Sequence, residues 1–173
     1  MKTESPHIVW LICLDELMRK VRKHGLLAIE ADIEVPDSEN GPFSRNPLLM
    51  QQPYQGFARD LFRLCLGGLL EDSDLDVYAQ EAMTTLTRHG VDASILRTIW
   101  LTIRSFSRGR HPSLACEFGR QAIPVEMRPN FNTLENILAE ARRVKEAKSQ
   151  EQAGGARDLE AEAERFIASI SGE

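Results

Sequence analysis

The chain lacks most of the signatures that announce a chemical function. Among its 173 residues there are three cysteines, Cys13, Cys65 and Cys116, an odd number at wide spacing, each with apolar neighbours. Such thiols are expected to be reduced and buried, since a free cysteine behaves as a small hydrophobe. No CxxC pair or Cys/His ligand spacing occurs, so no metal site is expected. The four histidines, His7, His24, His89 and His111, are scattered along the chain. Gly67-Gly68 lacks the Lys-Ser/Thr that completes a phosphate loop, and no GxSxG elbow is present. Glu30 and Glu34 are the nearest approach to a carboxylate pair, and one turn of separation reads as solvated helix surface. No catalytic residue and no cofactor is therefore expected, and the chain is not read as an enzyme. That reading would change if the fold brought His24 or His89 against a buried carboxylate in a pocket.

Long apolar runs are missing too. The best candidate, IVWLICL at 8–14, stops at Asp15 and Glu16, far short of the ~20 residues a membrane-spanning helix needs. It also lacks the basic start and cleavage site of a signal peptide, so a cytoplasmic location is expected. Aromatic residues are only 6% of the chain, and no alternating apolar/polar run argues for strands. The net charge of −5 excludes a general polyanion binder. Charge is uneven all the same: residues 93–116 hold Arg97, Arg104, Arg108 and Arg110 with no acid, and the tail after Gln150 is mostly acidic.

What the chain does have is helical periodicity. Ile8, Leu11, Ile12, Leu14, Met18, Val21, Leu26, Ile29 and Ile33 predict a first helix over about 6–34, with Gly25 interrupting it at a cost of roughly 1 kcal/mol relative to Ala. A Pro/Gly-containing loop follows, VPDSENGPFSRNP, with a short helical turn near 47–52. A second helix fits 54–69, with Phe57, Leu61, Leu64 and Cys65 on one face. Ser73 with Asp76 reads as a capping box opening a helix that runs to Thr87 or Arg88. Gly90 suits a left-handed C-terminal cap and Asp92 the next N-cap, so 88–92 predicts the tight turn of an αα-hairpin. The partner helix spans about 93–108, with Ile95, Ile99, Ile103 and Phe106 on one side and Arg97, Arg104 and Arg108 on another. Pro112 starts a helix that ends before Pro124. Asn132 caps a helix over about 133–148, Gly154-Gly155 breaks it, and 156–170 forms a further amphipathic segment through Leu159, Ala163, Phe166 and Ile170.

The first helix carries a charge layout of its own. Arg19, Lys20, Arg22 and Lys23 are followed by Glu30, Asp32 and Glu34. On a continuous helix Arg22 and Glu30 stand about 12 Å apart on nearly the same face, too far to pair with each other and well placed to reach two opposite charges on a partner.

Several segments in order resemble the cytoplasmic parts of the MotA family, the stator subunits of the bacterial flagellar motor in the MotA/TolQ/ExbB proton-channel superfamily. They are RKHGLLAIEADIEVP at 22–36, PFSRNPLL, FARDLFRLCLGGLLEDSDLDVYAQEAM, and HPSLACEFGRQAIPVEMRPNFNTLE, and the resemblance as a whole covers about 10–145. The chain departs from the family where its membrane helices should be. The family's acidic triplet is reduced to Gln80-Glu81-Ala82, the second membrane hairpin is replaced by Arg88-His89-Gly90-Val91-Asp92, and the tail after Gln150 has no counterpart.

The resemblance implies an all-α fold: a compact multi-helix bundle corresponding to the cytoplasmic domain of a stator subunit, residues 1–150, two of whose long helices close at 88–92. An acidic tail, 151–173, helical or partly disordered, would follow. It implies a protein-interaction module of bacterial motility and chemotaxis with no proton path of its own. Its partner would be a FliG-like rotor protein or other stator subunits. By motif position the rotor-facing pair would be Arg22 and Glu30, supported by Arg19, Lys23, Asp32 and Glu34. No nucleic acid is expected, and Arg97, Arg104 and Arg108 would offer weak contact with anionic lipid, as basic residues do at the cytoplasmic edge of a span. The alternative is a relic or engineered membrane-less stator domain with a structural role only or a reassigned function.

Overall fold

The computed structural model describes residues 5–35, 41–68 and 70–170, and side chains as far as residue 150. All regular structure among these residues is helical. The elements are α1 (Pro6–His24), a 3-10 turn (Leu26–Ile29), α2 (Glu30–Glu34), α3 (Gln52–Leu66), α4 (Asp72–Arg88), α5 (Ala93–Ser107), α6 (Pro112–Arg120) and α7 (Phe131–Ile170). The chain divides into two compact units, 1–135 and 136–173.

The first unit is a bundle built around α5, which packs against α1, α3, α4 and α6. Its sequence explains the central place. Ile95, Leu96, Ile99, Trp100 and Ile103 cover more than one stripe, and the interspersed Thr98, Thr102 and Ser105 are small enough to be buried with them. Thr98 and Thr102 satisfy their hydroxyls within the helix, donating to the carbonyls of Ser94 at 3.0 Å and Thr98 at 2.8 Å. Against this core α1 lays Trp10, Leu11, Leu14, Leu17 and Met18, all essentially without solvent contact. Burial of an apolar side chain of this size stabilises the fold by about 1.5–3 kcal/mol. The 41–50 segment is held by Phe43, whose ring meets Trp10 at 6.1 Å between centroids. It forms turns rather than the helical turn expected near 47–52, with Asn46 Oδ1 accepting from the Leu48 amide.

The hairpin of α4 and α5 closes as its residues predict. Gly90 has φ +84°, and the Asp92 carboxylate accepts from the Ser94 amide as the N-cap of α5. Other boundaries differ from expectation. The first helix ends at His24 instead of running to 34. Gly25 takes φ +83° and ψ 174°, its amide closes α1 on the Val21 carbonyl, and the chain restarts as the 3-10 turn and α2, which bury Ile29 and Ile33. Ser73 is not the cap of α4. The helix begins two residues earlier than that cap implies, at Asp72 with Glu71 as N-cap, and both the carboxylate and the carbonyl of Asp72 accept from Arg104. The start of α7 is Phe131, because Asn130 rather than Asn132 accepts from the Thr133 amide.

In the second unit α7 runs unbroken through Gly154-Gly155 to Ile170. The roughly 1 kcal/mol that each glycine costs is outweighed by Ala, Glu and Arg on both sides, with Lys and Gln before them. The expected amphipathic face at Leu159, Ala163, Phe166 and Ile170, the side chains of the acidic tail, residues 36–40 of the first loop, and Leu69 lie outside the described residues.

Candidate functional site

The segment from the last turn of α1 to the end of α2 holds the charges singled out from sequence, and the structure sorts them. Arg19 turns inward: its guanidinium meets the buried Asp15 at 2.9 Å and donates to Ser113 Oγ at 2.9 Å, tying α1 to α6. Lys20 reaches across the Gly25 break to Asp32 at 2.8 Å. Glu34 is taken by Arg63 of α3 at 2.8 Å. Arg59, also on α3, donates to the Ile33 and Glu34 carbonyls and so fixes the C-terminal end of α2. Arg22, Lys23 and Glu30 are left exposed, with no ion pair to a described residue.

Because α1 stops at His24, the 12 Å placement of Arg22 and Glu30 on one continuous helix does not hold. The two residues occupy separate helices joined by Gly25 and the 3-10 turn. Between them in the chain stands Leu27, 81% exposed, the most exposed large apolar side chain among the described residues. The surface left by this sorting is two cationic groups, a protruding leucine and an anionic group, on elements anchored from beneath. Gly25 gave a sequence signal for the break. The exposure of Leu27 gave none, because helical periodicity assigns it to neither face.

Arg97, Arg104 and Arg108 do not form a common basic face. Arg97 is exposed, whereas Arg104 is 5% exposed and lies between Asp72 at 2.6 Å and Asp76 at 2.9 Å, beside the Trp100 ring. Arg108 faces the same two aspartates. The Arg104 guanidinium holds the Asp72 carboxyl below its usual range. This cluster was readable in principle. Gly90 lies midway in sequence between Asp72 and Arg108 and between Asp76 and Arg104, so an antiparallel hairpin turning there brings two i,i+4 pairs of opposite sign together.

The histidines named as conditions for catalysis are not so placed. His24 is exposed at the end of α1, and the exposed His89 has Nδ1 2.9 Å from the Thr85 carbonyl. His7 is the buried one. Its Nε2 lies 2.8 Å from Ser94 Oγ, which donates to Asp92 Oδ1 at 2.6 Å. A hydroxyl has one proton, so Ser94 accepts from His7, and His7 carries its hydrogen on Nε2. The direction is opposite to that of a serine nucleophile, where the imidazole accepts. The trio ties the start of α1 to the cap of α5.

Burial lowers the His7 pKa from 6.5, with Asp92 partly opposing the shift. The neutral ring is therefore the folded form. Below pH 6.5 the unfolded chain takes up a proton that the folded chain resists, so this contribution is whole above 6.5 and is lost as pH falls through the folded value. Urea midpoints measured between pH 7.5 and 5 should decline. In His7→Gln, which keeps a donor near the Nε2 position, the decline should be shallower.

None of the three cysteines is in a disulfide. Cys13 and Cys116 are buried, and Cys65 is half-buried with its pKa pushed up by burial to about 12, which leaves no thiolate at neutral pH. Among the described residues no group of three or more His, Cys, Asp or Glu is disposed to hold a metal ion, and no helix is long and apolar enough to cross a membrane. Comparison with protein-family models, curated proteins and solved structures finds no match to this chain.

Proposed function

We propose that this chain is a MotA-like protein-interaction module. Its expected partner is a FliG-like rotor protein or another component of a flagellar stator, met through the surface around Arg22 and Glu30. The observation that carries the reading is the sorting of charge in 19–34. Arg19, Lys20, Asp32 and Glu34 are consumed by intramolecular pairs, while Arg22 and Lys23 on α1 and Glu30 on α2 remain exposed; Arg19 ties α1 to α6, and Arg59 and Arg63 hold the end of α2. The ordered motif resemblance supplies the class of partner. Exposed charge pairs are individually worth about 0–1 kcal/mol. They suit contacts that form and release repeatedly, and they steer encounter more than they hold it.

The test is a binding titration of the full chain against the C-terminal domain of a rotor protein. The double reversal Arg22→Glu with Glu30→Arg should weaken binding by roughly an order of magnitude, since two rim contacts of this kind turn repulsive. Binding should also fall as ionic strength rises. The fold should be unaffected, because neither side chain pairs with a described residue. Equal binding by the wild type and the reversed variant would remove this surface from the proposal.

A further inference from the structure

A second surface, away from the Arg22–Glu30 segment, lies between α3 and α4. An open groove of about 520 Å3 runs between the two helices. Its width has a cause in the sequence. Gly56 and Ala82 are the small residues facing into it, and a Cβ at position 56 would meet nothing within 4 Å. Phe57 and Leu86 supply apolar lining.

The groove also accounts for an oddity of α4. That helix of 17 residues buries only Leu75, Ala79 and Met83, which point into the bundle at four-residue spacing. A second stripe, Tyr78, Ala82 and Leu86, follows the same period and lines the groove instead. Val77, 64% exposed, extends the apolar surface one turn beyond Glu81.

The charges at this groove are of one sign. Asp60 and Glu81 are its lining carboxylates, and no Lys, Arg or His lines it. Asp60 has Arg63 at 3.4 Å and, after burial, helps to raise the Tyr78 pKa, while Glu81 is exposed and pairs with no described residue. An apolar trough between two helices with acid on its edge is complementary to a helix that carries an aliphatic stripe flanked by lysine or arginine.

We infer that the α3–α4 groove is a docking site for a cationic amphipathic helix of a protein partner. The inference is independent of the rotor reading, since it uses other residues.

Two synthetic amphipathic peptides of roughly five turns test it, alike in their Leu/Ala stripe and carrying either Lys or Glu on the polar face. Each is titrated into the full-length 15N-labelled chain. The lysine peptide should shift amides of 52–60 and 78–86, and the glutamate peptide should leave them in place. Glu81→Lys should weaken the lysine peptide by about tenfold. Gly56→Leu should fill the groove and abolish binding while the chain remains helical, because the added side chain enters open space. Should that variant not fold, Glu81→Lys alone decides. The inference is overturned if the lysine peptide leaves the groove amides unmoved, if it shifts the acidic end of α7 instead, or if both peptides bind alike. It is also overturned if the free chain sediments as a dimer that Gly56→Leu dissociates, since the occupant would then be a second copy.

Discussion

Replacing Gly119 by alanine is expected to cost the fold about 3 kcal/mol, the upper end of what overpacking a dense core does. At this point α6 crosses closest to α5 and α1. An added methyl would overlap Thr102 Oγ1 and would stand 2.9 Å from both the Thr98 carbonyl oxygen and Leu11 Cδ2. The threonine cannot swing aside freely, because its hydroxyl donates to Thr98 O within the buried face of α5. The carbonyl is backbone and moves only with its helix. Relief therefore requires α6 to shift away from α5, which loosens Ala115 and Cys116 on the same buried face. For a chain of this size the loss corresponds to a fall of about 5–10 °C in melting temperature. Gly56→Ala is the control. It too sits within a helix, yet its Cβ would meet nothing within 4 Å, so it should be neutral or stabilising by up to ~1 kcal/mol. Adding Thr102→Ala to Gly119→Ala should recover part of the loss, since it removes the worst overlap and leaves the carbonyl contact. Equal urea midpoints for Gly119→Ala and Gly56→Ala would refute the account.

Gly119 shows where reading the sequence runs out. Nothing in CEFGRQ marks that glycine as a crossing point, because its neighbours there come from α5 and α1, far off in the chain. What could be read were features whose cause is local. Gly90 and Asp92 predicted the hairpin turn, since a left-handed residue and a carboxylate cap act within a few residues. Pro112 predicted the start of α6 for the same reason. Reading failed where two local signals were equivalent or where a distant group chose between them. Asn130 and Asn132 are both good caps, and the chain uses the first. Ser73 is a better cap by type than Glu71, yet Arg104 draws Asp72 into the first turn of α4 and the helix starts there. Gly25 was recognised as an interruption and underweighted. The glycines of α7 do not break it, because sixteen good helix formers before them and ten after decide the segment. As for the candidate surface, the charges of 19–34 were visible as a set. Which of them would be spent on intramolecular pairs depended on Ser113 and Arg63, and no spacing rule reaches that far.

The asymmetry of burial at Arg104 leads to the second large effect. Asp72→Ala with Asp76→Ala should lower the melting temperature by roughly 10 °C, more than Arg104→Met does. The guanidinium is almost wholly enclosed, with 6% of its side chain exposed, while the two carboxylates keep 69% and 52%. Removing the arginine leaves two anions that water can solvate, and methionine restores some packing against Trp100. Removing the anions instead leaves a charged group that cannot lose its proton, held only by the Asp72 carbonyl and the face of Trp100 at 5.8 Å. Arg108, half in solvent, cannot compensate, since it carries the same sign. Acid should reproduce the effect. The Asp72 carboxyl is depressed from 3.8, chiefly by its hydrogen bond from Arg104. Its contribution is complete above 3.8 and is lost as pH falls through the folded value. Below that value the wild type should therefore approach the single variant Asp72→Ala, and the gap between their melting curves at neutral pH should close. If Arg104→Met proved the more damaging change, the cluster would owe its stability to the packing of the arginine stem and not to neutralisation of a buried charge.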